Sequence, residues 1–150
     1  SVNHILFDTG KVRIVSRLIQ GEYMNYTAIL PQNGNTTMII SPQAMLSAIE
    51  RASLIILLDD RRCPVQLSMP NDDTLVISAN TELGTLREEV PVRIEGENIE
   101  IDFNPRYFID ALRAIEEEEI VIHFNGSNGP CVLRPSEGEG FAYLVLPLRR

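Results

Sequence analysis

The residues that could do chemistry in this chain are its histidines, its cysteines and a run of carboxylates. His4 and His123 each lie in an alternating apolar and polar segment, where a packed or surface imidazole is much commoner than a catalytic base. Cys63 and Cys131 have neither CxxC nor Cys/His spacing, which predicts reduced, buried thiols in a cytosolic protein. The glutamates of residues 116–119 point around a helix end and do not converge on one ion. The sequence therefore predicts no catalytic residue, no metal site and no cofactor.

The glycine-rich segment 125–129 is the nearest approach to a phosphate-binding loop. It joins two strand-like segments and lacks both a following helix and a Lys, so we expect a hairpin loop. The sequence contains no HExxH, nucleophile-elbow, GK[ST] or calcium-loop pattern. A protein that is not an enzyme is the favoured interpretation.

Composition sets further bounds. The chain has 150 residues, of which 44% are hydrophobic, enough for one buried domain and a short extra piece. No uncharged apolar run approaches the about 18 residues of a membrane span, so we expect no membrane association. The formal net charge is -8, and residues 82–119 hold 12 acidic and 4 basic residues. This balance disfavours tight nucleic-acid binding and permits an acidic surface for a basic protein partner.

Two helices are predicted from cap-and-proline start signals. Ser41-Pro42 opens a helix that runs to about Ile56, and Asn104-Pro105 opens another that runs to about Ile115. Apolar residues recur at helical spacing along one side of each. The predicted core faces are Met45, Ala48, Ile49, Ala52 and Ile56 in the first helix and Phe108, Ala111, Leu112 and Ile115 in the second.

Alternating segments predict the strands. Residues 4–8 and 11–18 form a β-hairpin around a turn at 8–10, and this hairpin is expected to continue a sheet outside the chain because two strands are rarely stable alone. Further strands are predicted at 36–40, 64–69, 74–79, 86–94, 98–103, 119–124, 131–134 and 141–146, with a hairpin turn at 95–97. The order from residue 36, β-α-ββββ-α-βββ, predicts an α+β domain with two helices packed on antiparallel sheets.

Three separated motifs then occur in order: SRLIQGEYMNY at residues 16–26 with ILP at 29–31, FNPRY at 103–107 with DAL at 110–112, and YLVLPLR at 143–149. They resemble the bacterial DNA sliding clamps, the beta subunits of the replicative DNA polymerase III holoenzyme. The family often has Pro where this chain has Met24. The resemblance implies that residues 1–22 are the end of the family's second domain, its last hairpin and linker, and that residues 23–150 are its third, C-terminal domain.

The resemblance also implies a function. It predicts a processivity factor that, in the full-length protein, forms a head-to-tail homodimeric ring around duplex DNA, in the cytoplasm and associated with the nucleoid. DNA polymerase subunits, the clamp loader and repair proteins would dock through short linear motifs of the Gln-Leu-x-Leu-Phe type. Because a closed ring holds DNA by topology, weak and non-specific phosphate contacts suffice, and the acidic composition is no contradiction.

The same resemblance implies a pocket for partner peptides with an apolar floor and an adjoining polar groove. The floor residues are Met24, Ile29, Leu144, Leu146 and Leu148. The groove residues are Asn104, Tyr107, Asn128, Pro130, Pro147 and Arg149. For the three alternating leucines, the core face of a last strand is the alternative.

A subunit interface and a DNA-facing surface are implied as well. The interface would bury an apolar pair on the polar side of the first helix and use an acidic edge that meets a basic edge of the neighbour. The interface residues are Leu54, Ile55, Glu82, Glu88 and Glu89. The DNA-facing residues are Arg51, Arg106 and Arg113, for which solvated helix residues are the alternative. Two other functions stay open: an acidic enzyme domain whose active site is completed outside this chain, and a protein-interaction adaptor with no DNA role.

Overall fold

The computed structural model describes residues 3–23, 25–26, 30, 34–58 and 64–148. In chain order the elements are β1 (His4–Asp8), β2 (Arg13–Arg17), β3 (Thr36–Ile40), α1 (Pro42–Leu58), β4 (Val65–Ser68), β5 (Thr74–Thr81), β6 (Gly84–Pro91), β7 (Arg93–Gly96), β8 (Glu100–Phe103), α2 (Pro105–Arg113), β9 (Ile120–Phe124), β10 (Cys131–Pro135) and β11 (Tyr143–Val145). Their pairing is antiparallel throughout. The predicted α+β class, with helices packed on antiparallel sheets, is confirmed.

The hairpin of β1 and β2 forms where the alternation predicted it. Asp8 shapes its turn, because Oδ1 accepts a hydrogen bond from the Gly10 amide at 2.8 Å and Oδ2 accepts one from Arg13 Nε at 2.7 Å. Gly10 has a φ of 78°, a left-handed conformation that glycine adopts without Cβ strain. The turn residues therefore fix this register.

Both faces of the hairpin carry exposed apolar side chains. Leu6 pairs with Val15 on one face, Phe7 pairs with Ile14 on the other, and all four residues are exposed. A hairpin with no covered face is marginal in water. The continuation of these strands into a sheet outside the chain, and with it the domain division at residue 22, stays a prediction.

The other described strands form two sheets around one hydrophobic core. The five-stranded sheet has the order β11-β10-β9-β3-β7, and the four-stranded sheet has the order β6-β5-β4-β8. Helix α1 packs on β5 and β6 and against α2. Among the described residues, no helix combines the length and the hydropathy that crossing a bilayer requires.

One predicted strand, at residues 86–94, is two strands in different sheets, and the predicted hairpin at 95–97 is wrong. β6 pairs with β5, whereas β7 pairs with β3 and β8 pairs with β4. The inward positions Val90, Val92 and Ile94 alternate without interruption across the change of sheet, so no break in the pattern marks it. Residues 97–99 link the two sheets, because they lie between β7 and β8. Gly96, just before this link, has a φ of 124° and lies so close to the Asn35 carbonyl that a Cβ would clash.

Both predicted helix starts are confirmed. The Ser41 carbonyl accepts the Met45 amide at 3.1 Å, and Asn104 Oδ1 accepts the Arg106 amide at 3.1 Å. Proline follows each cap, where its missing N–H costs nothing. All nine residues of the two predicted core faces are buried, including Ile115, although α2 itself ends at Arg113.

Candidate functional site

The end of the described chain forms a seam between the two sheets. β11 belongs to the five-stranded sheet, and the residues after it reach the edge strand β8 of the other sheet. There Pro147 pairs with Phe103, and the Leu148 amide donates to the Asp102 carbonyl at 2.8 Å. These backbone contacts fix the tail, which consists of residues 146–148, in an extended conformation.

The tail presents leucines to solvent instead of to the core. Val145 is buried, whereas Leu144 is half-buried, Leu146 is 61% exposed and Leu148 is 42% exposed. The alternative that the three leucines form the core face of a last strand therefore does not hold. We name Leu144, Leu146 and Leu148 the leucine track. Apolar side chains held in a fixed, exposed row are typical of a binding surface.

The start of α2 lies beside the tail. Asn104 follows Phe103, the residue that pairs with Pro147, and its side chain is occupied in capping the helix. Tyr107, in the first turn, is 56% exposed. The structure thus brings the predicted groove residues Asn104, Tyr107 and Pro147 to one end of the leucine track.

The loop between β9 and β10 supplies another side of the site. It is a hairpin loop, as predicted, and Asn128 in it lines a cavity of about 480 Å³ together with Leu148. Pro130 is half-buried where this loop enters β10. Asn128 and Leu148, predicted from distant motifs, are therefore neighbours.

Asp102 and Gln66 are among the residues of this cavity that the sequence analysis missed. Asp102 on β8 is only 7% exposed, and its Oδ1 accepts a hydrogen bond from Gln66 Nε2 on β4 at 3.3 Å. The pair forms because β4 and β8 are adjacent strands, with Gln66 directly opposite Asp102. No local pattern marks a contact between residues so far apart along the chain. Met24, Ile29 and Arg149 of the predicted pocket lie outside the described residues.

The predicted interface residues lie along α1 and the edge strand β6. Leu54 is 61% exposed on the outward side of α1, and Ile55 beside it is half-buried. Glu88 and Glu89 are on β6, and Glu82 lies in the turn before it. Among the described strands β6 is paired only with β5, so its other side is an edge of the sheet. Because α1 packs on β6, the exposed Leu54 and the glutamates of β6 lie along one border of the domain.

A family model described as DNA polymerase III beta subunit, C-terminal domain, matches residues 27–149, which is 123 of the 150 residues. The chain belongs to this family. The resemblance found in the motifs is therefore confirmed.

Among sequence relatives, the beta sliding clamp of Staphylococcus epidermidis is 34% identical over 148 residues, 98% of this chain and 39% of the relative. The chain thus spans about two fifths of the length of the relatives it matches. The crystal structure of the Bacillus subtilis DNA polymerase sliding clamp has a TM-score of 0.90 at 35% identity, covering 99% of this chain and 39% of that one. A Bartonella birtlesii sliding clamp bound to griselimycin has a TM-score of 0.88 at 26% identity, covering 100% and 40%.

In this beta-subunit chain, two of the three arginines predicted to face DNA are held by carboxylates. Arg51 on α1 donates two hydrogen bonds to Glu88 on β6, from Nε to Oε2 at 3.0 Å and from Nη2 to Oε1. A residue predicted to face DNA therefore contacts a residue predicted for the subunit interface. Hydrogen bonding from Arg51 lowers the pKa of the Glu88 carboxyl below its usual range. Arg113 Nη2 donates to Glu50 Oε1 at 2.8 Å, which joins α2 to α1. Arg106 has no ion pair with any described residue.

Two other titratable groups of this clamp-family domain, Cys131 and His123, have shifted pKa values. Cys131 is a free, buried thiol whose pKa is raised far above its ordinary range by burial, so it is poorly reactive. His123 Nδ1 lies 3.2 Å from Thr37 Oγ1 on the neighbouring strand, and burial, with a smaller effect from Arg134, lowers its pKa. Across the described ranges, no group of three or more His, Cys, Asp or Glu could hold a metal ion. Cys63 lies outside the described residues.

Proposed function

We propose that this chain is the C-terminal part of a DNA sliding clamp, a non-enzymatic processivity factor that tethers partner proteins to duplex DNA. Membership of the beta-subunit family supports the proposal, and the observation that carries it is the leucine track, an exposed apolar row fixed between two sheets. In this proposal residues 1–22 end one clamp domain and residues 23–150 form the next.

Partner peptides dock on the leucine track and the surfaces beside it. Leu146 and Leu148 supply an apolar floor, and Tyr107, Asn104 and Asn128 border it with polar groups. Burying one leucine side chain contributes about 1.5–3 kcal/mol, so two or three such contacts suffice for a short peptide. The partners are DNA polymerase subunits, the clamp loader and repair proteins that carry Gln-Leu-x-Leu-Phe type motifs.

The border formed by α1 and β6 is the proposed subunit interface of a homodimeric ring. Leu54 needs cover that the described residues do not provide, and among the described strands β6 is paired on one side only, which leaves its other side as an edge. Glu82, Glu88 and Glu89 place carboxylates on this border, and a basic edge on the neighbouring subunit would compete with Arg51 and Arg87, which already pair with Glu88 and Glu89. The ring then holds DNA by topology, and the exposed faces of α1 and α2 meet the phosphates weakly because two of their arginines are already paired.

The experiment is a titration of a fluorescent Gln-Leu-x-Leu-Phe peptide against the complete natural protein that carries this chain. Leu146→Ala is expected to weaken binding about thirtyfold, the equivalent of about 2 kcal/mol for a truncated hot spot, without unfolding the protein. Leu83→Ala is the matched control, since Leu83 is 66% exposed in the turn between β5 and β6 and lies away from the track; because Glu82 of the proposed interface is in the same turn, sedimentation checks that this variant still dimerises. Unchanged affinity in folded Leu146→Ala would remove Leu146 from the site, and no binding by the unaltered protein would remove the pocket.

A further inference from the structure

A second cavity, of about 390 Å³, opens beside the start of β11. Its walls come from the segment before β3, from the end of β10 and from the loop between β10 and β11. The residues that matter here are Tyr26, Arg134, Glu139, Phe141 and Ala142. The volume falls within the range of small-ligand sites, about 300–1,000 Å³. The proposed docking of a Gln-Leu-x-Leu-Phe motif on the leucine track does not use this cavity.

Arg134 is the unusual residue of this cavity. It is half-buried, yet among the described residues it has no carboxylate partner within ion-pair distance, even though Glu139 lines the same cavity. A partly desolvated guanidinium gains more from an anion than a fully hydrated one does. Unlike Arg134, five arginines do have a described carboxylate partner: Arg13, Arg51, Arg87, Arg93 and Arg113.

The strand register connects this cavity to the leucine track. Val132 pairs with Leu144 and Leu133 pairs with Tyr143, and the next residue on each side, Arg134 and Ala142, lines the cavity. Because side chains alternate along a strand, Arg134 lies on the same face of the sheet as Val132 and its partner Leu144. Leu144 is two positions after Ala142, a distance of about 7 Å in an extended chain. The cavity is therefore a direct continuation of the track.

We infer that the cavity binds an acidic side chain of the docking peptide, two residues outside the apolar motif. The inference rests on the proposed function, because the peptide must lie on the leucine track to reach Arg134. The guanidinium fits a carboxylate through two parallel N–H···O bonds. Tyr26 and Phe141 line the same cavity with aromatic rings. Arg134 thus selects peptides with Glu or Asp at that flank over peptides with Gln or Asn.

The test is fluorescence anisotropy on the complete natural protein with four labelled peptides. Each contains the Gln-Leu-x-Leu-Phe motif. One pair differs only in having Glu or Gln two residues before the motif, and the other pair differs only in having Glu or Gln two residues after it. At one flank we expect the Glu peptide to bind about fivefold more tightly, the equivalent of about 1 kcal/mol, and at the other flank no difference. Added salt reduces the preference.

Variants assign the preference to the residue. Arg134→Gln is expected to abolish it, and Arg134→Lys to keep part of it, because Lys retains the charge without the planar fork. Arg93→Gln, the same change of charge on the opposite edge strand of the same sheet, leaves it intact. Unfolding curves show whether each variant is folded.

The outcomes separate this inference from the proposed function. Equal binding of the Glu and Gln peptides at both flanks overturns the site for an acidic side chain and leaves the docking groove standing. A preference for Glu that survives Arg134→Gln has the same meaning. If none of the four peptides binds the unaltered protein, the groove and the acidic site are overturned together.

Discussion

Arg106 is the helix arginine from which we expect most of the salt-dependent contact with DNA. It is exposed and has no ion pair with a described residue, whereas Arg51 is held by Glu88 and Arg113 by Glu50. A paired arginine must leave its carboxylate before it can neutralise a phosphate, and the carboxylate that remains repels the DNA. Arg106→Gln should therefore weaken binding to DNA more, and reduce its dependence on salt more, than Arg51→Gln or Arg113→Gln.

The size of this effect follows from counterion release. Each phosphate that a protein neutralises adds about 0.9 to the slope of log affinity against log salt concentration on duplex DNA. Loss of the Arg106 contact should reduce the slope by that amount, which changes the affinity ratio between about 50 and 200 mM salt by about 3.5-fold. Glu50→Gln should have the opposite sign, because it frees Arg113 and removes a negative charge from the same face.

The measurement is the anisotropy of a short labelled duplex titrated with the complete natural protein at several salt concentrations. Arg93→Gln is the control for charge, since Arg93 lies on β7 and is held by Glu119 at 2.9 Å. Equal reductions of slope in Arg51→Gln, Arg113→Gln and Arg106→Gln would refute the argument that internal ion pairs restrain two of the arginines. A slope that no variant changes would mean that this helix face does not meet DNA.

Three further outcomes are expected. Leu54→Ala with Ile55→Ala in the complete natural protein should split the proposed dimer, and an intact dimer in sedimentation at low concentration would count against the interface. Phe108→Ala removes a fully buried ring that packs edge-on, 4.9 Å between centroids, against Phe103, so urea unfolding should show a loss of about 3–5 kcal/mol. Burial lowers the pKa of His123 from its ordinary 6.5, so its contribution to stability is present above that pH and is lost as the pH falls through the folded-state pKa. The free energy of unfolding below about pH 6.5 should therefore depend less on pH in His123→Gln.

The helices could be predicted from the sequence because their signals are local. Ser41 and Asn104 each precede a proline and a stretch with apolar residues at helical spacing, and these short-range features determine where a helix begins and which side it buries. The β1–β2 hairpin was predictable for the same reason, since the turn around Gly10 lies within the pattern. Local chemistry and the final packing agree at these places.

The strand partners could not be predicted in this way. Val90, Val92 and Ile94 keep one alternation while the chain passes from one sheet to the other, so the sequence contains no sign of the change. Contacts such as Arg51 with Glu88 and Gln66 with Asp102 depend on which strands become neighbours, and this is decided by the whole core. For the same reason, the motifs identified the leucine track and did not identify Asp102 as its neighbour.

The seam at the end of the chain gives the domain an element that can open locally. The backbone contacts between the tail and β8 are the Phe103–Pro147 pairing and the hydrogen bond from the Leu148 amide to the Asp102 carbonyl, far fewer than those within either sheet. Opening it would cost much less free energy than global unfolding. Leu146 and Leu148 keep their position relative to Tyr107 only while the seam is closed, so a ligand that touches both sides binds the closed population and shifts the equilibrium toward it. Hydrogen exchange of the Leu148 amide is therefore a built-in reporter of occupancy, slower when the groove is filled than when it is empty.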